Sequence, residues 1–197
     1  MYIDRNLSFK THVNYLRKKI SKSIGILYKL NKFLPNSILQ KIYFTLVYPY
    51  FLYGIEAWYS TYSNTTKPLV ILQKKAIRAI FNLEYRAHTN NYFQLMSSLK
   101  LNDLYNCQIL SYLYKTLNMP NFDPILKDSL QLTSNIHNHD IRHINKILPE
   151  HYNLTRTKFS IKHIGTDLFN KLPSEISNLP SLFKFKSKIK TYYVSKY

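Results

Sequence analysis

Acidic side chains are the scarcest charged class in this chain. Ten Asp and Glu face 28 Lys and Arg, a formal net charge of +18 over 197 residues. So large an imbalance disfavours the compact state by self-repulsion unless a polyanion offsets it. Cysteine is limited to Cys107, which excludes an internal disulfide and points to a reducing, intracellular compartment, cytoplasm or nucleus. Glycine occurs three times (Gly25, Gly54, Gly165), too few for a Gly-rich phosphate loop or a turn-rich β architecture. The longest uncharged stretch in the first third, residues 42–55, falls short of the ~20 apolar residues of a membrane span. Nucleic acid is the first candidate polyanion and an anionic membrane surface the second, and no membrane partner is assigned. Met1-Tyr2-Ile3 runs straight into Asp4 and Arg5, which is not the pattern of a signal peptide.

Recognisable catalytic chemistry is also missing. His137, His139 and His143 cluster, with Asp140 as a conceivable fourth ligand. A structural zinc site wants four N or S ligands on a scaffold, and no cysteine accompanies these histidines. Two-metal phosphoryl transfer needs carboxylates converging on ions about 4 Å apart. The acids Asp4, Glu56, Glu84, Asp103, Asp123, Asp128, Asp140, Glu150, Asp167 and Glu175 include no adjacent pair. No nucleophile-elbow motif appears, so no catalytic residue, metal, cofactor or small-molecule substrate is assigned. Glu56 is expected to pair with a base of a neighbouring helix.

What remains is apolar periodicity. At 45% hydrophobic, with 18 Tyr and 11 Phe, the chain can bury a core. Residues 38–58, ILQKIYFTLVYPYFLYGIEAW, carry no charge between Lys41 and Glu56 and are apolar on every side of a helical projection. That predicts a central buried helix, kinked at Pro49. A first helix over about 8–32, capped by Asn6 or Ser8, places Phe9, Val13, Leu16, Ile20, Ile24 and Leu27 on one stripe. Thr65 or Thr66 caps a helix over about 66–83, with Pro68 in its first turn, burying Leu69, Leu72, Ala76, Ile80 and Leu83. Two further helices, about 90–98 and 102–118, bury Phe93, Leu95 and Met96, then Leu104, Cys107, Leu110, Leu113, Tyr114 and Leu117. Asp103 in the first turn complements the helix dipole.

Periodicity fails from Asn118 to about Thr157, where Pro120, Pro124 and Pro149 intervene. Residues 158–163 read as a short extended stretch, 166–170 as a helical turn, and about 181–195 as a final helix docking through Phe183, Phe185, Ile189 and Tyr193. The fold class is therefore all-α: an irregular bundle of about five helices around the central buried one. It divides into a bundle over 1–118, an irregular linker over 119–157 and a small basic helical cap over 158–197.

Off the apolar stripes lie cations. Arg17, Lys18, Lys22 and Lys29 leave the first helix, and Lys74, Lys75 and Arg78 leave the third. Across residues 1–32 Asp4 is the sole acid. Basic helical faces interleaved with aromatics suit a polynucleotide, neutralising phosphates without reading sequence. An ordinary solvated lysine face is the competing account.

Several stretches in order resemble the C-terminal part of non-LTR retrotransposon polyproteins of the LINE/jockey type. They are YIDRNLSFKTHV (2–13), YPYFLYGIEAW (48–58), LQKKAIRAI (72–80), His88-Thr89, IGTDLFNKLP (164–173) and SLFKFKSKIKTYY (181–193). In that family the opening pattern, matched here by Asp4, Leu7, Ser8, Phe9 and His12, is the passage from reverse transcriptase palm to helical thumb. The resemblance implies a thumb and post-polymerase region of an RNA-directed DNA polymerase, gripping template–primer. The family's catalytic aspartates lie in a palm strand pair that these residues do not contain, so the chain is expected to be inactive alone and to partner a missing palm. Where Phe169 stands, the family commonly has Trp. A truncated or degenerate element copy is the implied origin. The alternative is a degenerate basic helical module for protein interaction or self-association, with no nucleic-acid role.

Overall fold

In the computed structural model the first helix, α1 (Lys10–Leu30), begins without a side-chain cap. Phe9 stands before it at φ 53°, in the left-handed region. Neither Asn6 nor Ser8 caps it, contrary to expectation. Both donate instead to Asp4: the Asn6 and Ser8 amides reach Oδ1 at 3.2 and 2.8 Å, and the Ser8 hydroxyl reaches Oδ2 at 3.1 Å. A short acidic side chain that can bond the backbone two to four residues on favours such a turn. The Leu7 amide closes it onto the Asp4 carbonyl, so residues 2–5 form no strand. The structure describes residues 1–60, 63–131, 133, 146–149, 157 and 160–197. Among them the helices are the only extended regular elements, and the fold is all-α.

Val13, Leu16, Ile20, Ile24 and Leu27 of α1 are buried, in steps of three and four that keep them on one face. They pack on α5 (Ser63–Phe81), whose Leu69, Gln73, Ala76, Ile77 and Ile80 are buried in turn. Each fully buried Leu or Ile contributes roughly 1.5–3 kcal/mol. The end of α1 is tied down by the Asn31 side chain, whose Nδ2 donates to the Ala79 carbonyl at 2.8 Å.

The stretch 38–58 departs from the expected single buried helix. It breaks into α2 (Asn36–Leu46), α3 (Tyr48–Leu52) and α4 (Ile55–Trp58). Pro49 falls in the first turn of α3, where its missing N–H costs nothing, and Gly54 turns the chain at φ 62° before α4. Only Leu39, Tyr43, Val47, Phe51, Ile55 and Trp58 are fully buried, at steps of four and three. Ile38, Phe44, Leu46, Leu52 and Tyr53 are exposed. The stretch is thus covered along one stripe only, and its exposed positions mix Lys41 and Thr45 with large apolar side chains.

The most enclosed long helix is instead α7 (Leu101–Asn118), in which only Asn102 and Asn118 are exposed. Its sequence hides this because Ser111 and Thr116 sit among the buried residues. Both hydroxyls bond back to their own helix, to the carbonyls of Cys107 (2.6 Å) and Tyr112 (3.2 Å), which removes the desolvation cost of burying them. Cys107 is buried, as its place on the apolar face predicts.

Between α5 and α7 lies α6 (Asn90–Leu95), where Phe93 is buried but Leu95, expected in the core, is 70% exposed. After α7 come α8 (Pro124–Ser129), α9 (Ile161–Asn170), α10 (Ser174–Ser177) and α11 (Leu182–Val194). Asp123 caps α8 by accepting from the Leu126 amide at 3.0 Å. Ser160 caps α9 by accepting from the His163 amide at 3.2 Å. Residues 161–163 are therefore helical, not extended.

Two compact units result. Unit 1 comprises Met1–Tyr105 with Thr191–Tyr197, and unit 2 comprises Asn106–Lys190. This division falls elsewhere than the expected 1–118, 119–157 and 158–197. Within unit 2, Gly165 of α9 sits where an added Cβ would lie 3.5 Å from Ile109 and Leu113 of α7. Asn170 clasps the Ile147 backbone through both amide atoms, at 2.7 and 3.0 Å. Phe185 of α11 stacks on Tyr114 with ring centroids 4.4 Å apart.

Candidate nucleic-acid interface

On α1 the turn of 3.6 residues places Lys18, Lys22 and Lys29 along one line, directly opposite the buried stripe. All three are exposed. Arg17 and Lys10 flank that stripe and, with Asn14, Asn64, Thr65 and Pro68, line an open groove of about 290 Å³ between α1 and the start of α5. Arg17 is steadied by a 3.3 Å bond from its guanidinium to the Asn14 side-chain oxygen Oδ1.

The three bases of α5 go to different places. Lys74 is exposed beside the start of α7 and lines a second cavity with Lys100. Lys75 is half-buried, its ammonium 6.0 Å from the ring centre of Tyr85. Arg78 is half-buried and spends its Nε on the Ala87 carbonyl at 3.1 Å, holding the turn after α5. Of the seven candidates, Arg78 therefore has a structural duty that its sequence position did not reveal. The structure draws the others to the α1 ridge, the α1–α5 groove and the α5–α7 edge, with no single point of convergence.

Acids do little to neutralise these cations. In unit 1 sixteen Lys and Arg stand against Asp4, Glu56, Glu84 and Asp103. Among the described residues none of those four forms an ion pair, Glu56 included. An ion pair among the described residues, Lys171–Asp167 at 2.6 Å, lies exposed in unit 2. Asp4 is held below the usual carboxylate range chiefly by the Ser8 amide. Asp103 is pushed up by burial, against the pull of its bond from the Tyr197 hydroxyl at 2.7 Å.

Sequence reading missed two polar features of unit 1. Gln73, only 1% exposed, accepts from the Leu101 amide at 2.8 Å and donates to the Leu99 carbonyl at 3.0 Å. Tyr197 donates to Asp103, accepts from the Lys100 amide at 2.9 Å, and lies beneath the Lys100 ammonium at 3.9 Å. No local pattern announces a contact between residues almost a hundred positions apart.

His12 lies in the opening motif and is 2% exposed. Neither ring nitrogen has a hydrogen-bond partner among the described residues, and its ring meets Trp58 edge-on at 6.0 Å. Burial, followed by the nearby N-terminal ammonium, holds its pKa below the ordinary value. The unfolded chain therefore takes up this proton at higher pH than the folded chain. Stability is full above the unfolded pKa of about 6.5 and falls as pH drops through the folded value. Urea midpoints measured between about pH 7.5 and 5 should decline, and His12→Phe should remove part of that decline. The fluorescence of Trp58, the chain's one tryptophan, should titrate with the imidazole in the parent chain. An unchanged pH slope in the variant would show that His12 does not govern it.

The clustered histidines His137, His139 and His143, and Asp140, lie outside the described residues. Among the described ones no group of three or more His, Cys, Asp or Glu gathers as a metal site, and no helix is long and apolar enough to cross a membrane. No protein-family model, curated protein or solved structure matches the chain.

Proposed function

We propose that this chain binds nucleic acid without sequence preference, through Lys18, Lys22, Lys29 and Arg17 of α1 and Lys74 and Lys75 of α5, with Arg78 contributing only the guanidinium N–H groups that its bond to Ala87 leaves over. The supporting observation is the charge of unit 1, whose ordered, outward lysine ridge has no acidic partner among the described residues. A polyanion supplies the missing counter-charge, and displaced counterions supply the driving force. The resemblance of the ordered motifs to the thumb of LINE/jockey-type reverse transcriptases adds template–primer as the ligand, the missing palm as a partner and an intracellular setting. On this reading the chain is a non-catalytic piece of an RNA-directed DNA polymerase.

Affinity for a duplex should fall linearly with salt on logarithmic axes, by about 0.9 per phosphate neutralised on B-DNA. Lys18→Ala, Lys22→Ala and Lys29→Ala combined should flatten that slope by about 2.7. Binding that ignores salt, or no binding at low salt, sinks the proposal.

A second reading draws on the exposed apolar side of α2 and α3. Ile38, Phe44, Leu46, Leu52 and Tyr53 are exposed large apolar side chains along these two helices, and a partner that covers them removes that area from water. Light scattering separates the two: self-association without nucleic acid, abolished by Leu46→Asp, favours the second.

A further inference from the structure

A cavity of about 190 Å³ opens in unit 1 between α5, α6 and the start of α7. Its charged groups are Lys74, Lys100 and Asp103, and its neutral hydrogen-bonding groups include Asn90 and Asn102. Two ammonium groups sharing one concavity repel each other. The Lys100 pKa is lowered chiefly by burial, which Asp103 opposes and the charge of Lys74 reinforces to a lesser degree. Asp103 offsets part of that charge; its carboxylate accepts from the Tyr197 hydroxyl, and burial raises its pKa against the pull of that bond and of Lys100.

Gln73 forms a fixed wall, its amide bonded to Leu99 and Leu101, while the Lys100 ammonium is held over the Tyr197 ring. The Asn102 carbonyl oxygen is occupied by the Tyr59 hydroxyl, which leaves its NH₂ group as a donor. The site therefore offers two cations and amide donors against a single carboxylate, Asp103.

We propose that this cavity binds a phosphate monoester, the phosphorylated end of a polynucleotide strand. Volume argues for the end of a strand. At about 30 Å³ per water the space holds roughly six waters, enough for a phosphate with at most a pentose, and below the size of ordinary small-molecule pockets. A phosphodiester inside a continuous strand carries chain on both sides, which a recess of this volume accommodates less readily than a strand end. A terminal phosphate carries chain on one side only, and at neutral pH it brings charge approaching −2. This inference rests on the nucleic-acid reading for its polymer, but the chemistry of the cavity stands by itself.

The test compares two oligonucleotides of one sequence, 5′-phosphorylated and 5′-hydroxyl, with 3′-phosphorylated strands as a second arm, on the full chain. The phosphorylated end should raise affinity about tenfold, the scale of one added charge-assisted contact. Lys100→Met should bring the ratio of the two affinities to one. Asp103→Asn keeps an acceptor for Tyr197 and removes the opposing charge, so it should raise that ratio. A merely structural role for Asp103 predicts no such gain.

Equal affinity for both ends, with salt-dependent binding intact, overturns the inference and leaves the wider proposal standing. Inorganic phosphate and adenosine monophosphate are the small-molecule probes. If either raises the melting temperature in a Lys100-dependent way while no oligonucleotide binds, the phosphate site is upheld and the polynucleotide is removed as its source.

Discussion

Gln73→Ala is expected to destabilise the chain by about 3–5 kcal/mol in urea unfolding, because each orphaned buried group costs about 1–3 kcal/mol and a cavity adds to it. Three elements meet at this amide. Its oxygen takes the Leu101 N–H, one of the unpaired donors that begin α7, and its nitrogen serves the Leu99 carbonyl and, at 3.3 Å, the Tyr43 hydroxyl. Tyr43 is itself fully buried, and burial raises its pKa strongly. Gln73→Met keeps the volume and removes only the bonds. The loss in that variant measures the hydrogen bonds, and the difference between Ala and Met measures the cavity. If Gln73→Met lies within about 0.5 kcal/mol of the parent, the range of an ordinary surface change, the bonds do not hold the α5–α7 joint.

How much of this was legible depends on how far apart the interacting residues lie. The stripes of α1 and α5 could be read because helical periodicity is a local property, and both helices formed close to where their apolar steps placed them. The cationic ridge followed from the same periodicity, since Lys18, Lys22 and Lys29 occupy what the stripe leaves over. The α1 start misled because Ser8 is an ordinary capping residue, and only the three-way bond to Asp4 turns it into a donor.

The central helix misled for a different reason. An uncharged run satisfies any burial pattern, so hydrophobicity alone could not show that one stripe of residues 38–58 would be covered and Tyr53 left 68% exposed. α7 is the reverse case, where Ser111 and Thr116 look like surface residues until their back-bonds are seen. The Lys74–Lys100 cavity was beyond sequence reading, because it depends on Tyr197 reaching across the chain to occupy Asp103.

Phe185→Ala should cost about 3–5 kcal/mol, the range for truncating a fully buried aromatic, whereas Phe183→Ala should stay within about 0.5 kcal/mol. Spacing alone assigned both rings to one docking face, yet two residues along a helix point to nearly opposite sides. The structure resolves the conflict: Phe185 is 0% exposed and Phe183 81% exposed. Phe185 earns its place through Tyr114, whose ring it covers at 25° interplanar angle and whose hydroxyl donates to the Leu179 carbonyl at 2.6 Å. Tyr114→Phe keeps the stack and removes that bond, for a loss of about 1 kcal/mol. The order Phe185→Ala, then Tyr114→Phe, then Phe183→Ala in decreasing urea midpoint shift is the signature of α11 docked by one face. Equal losses at Phe183 and Phe185 would mean that both sides of the helix are covered, and the α11 packing described for unit 2 would be wrong.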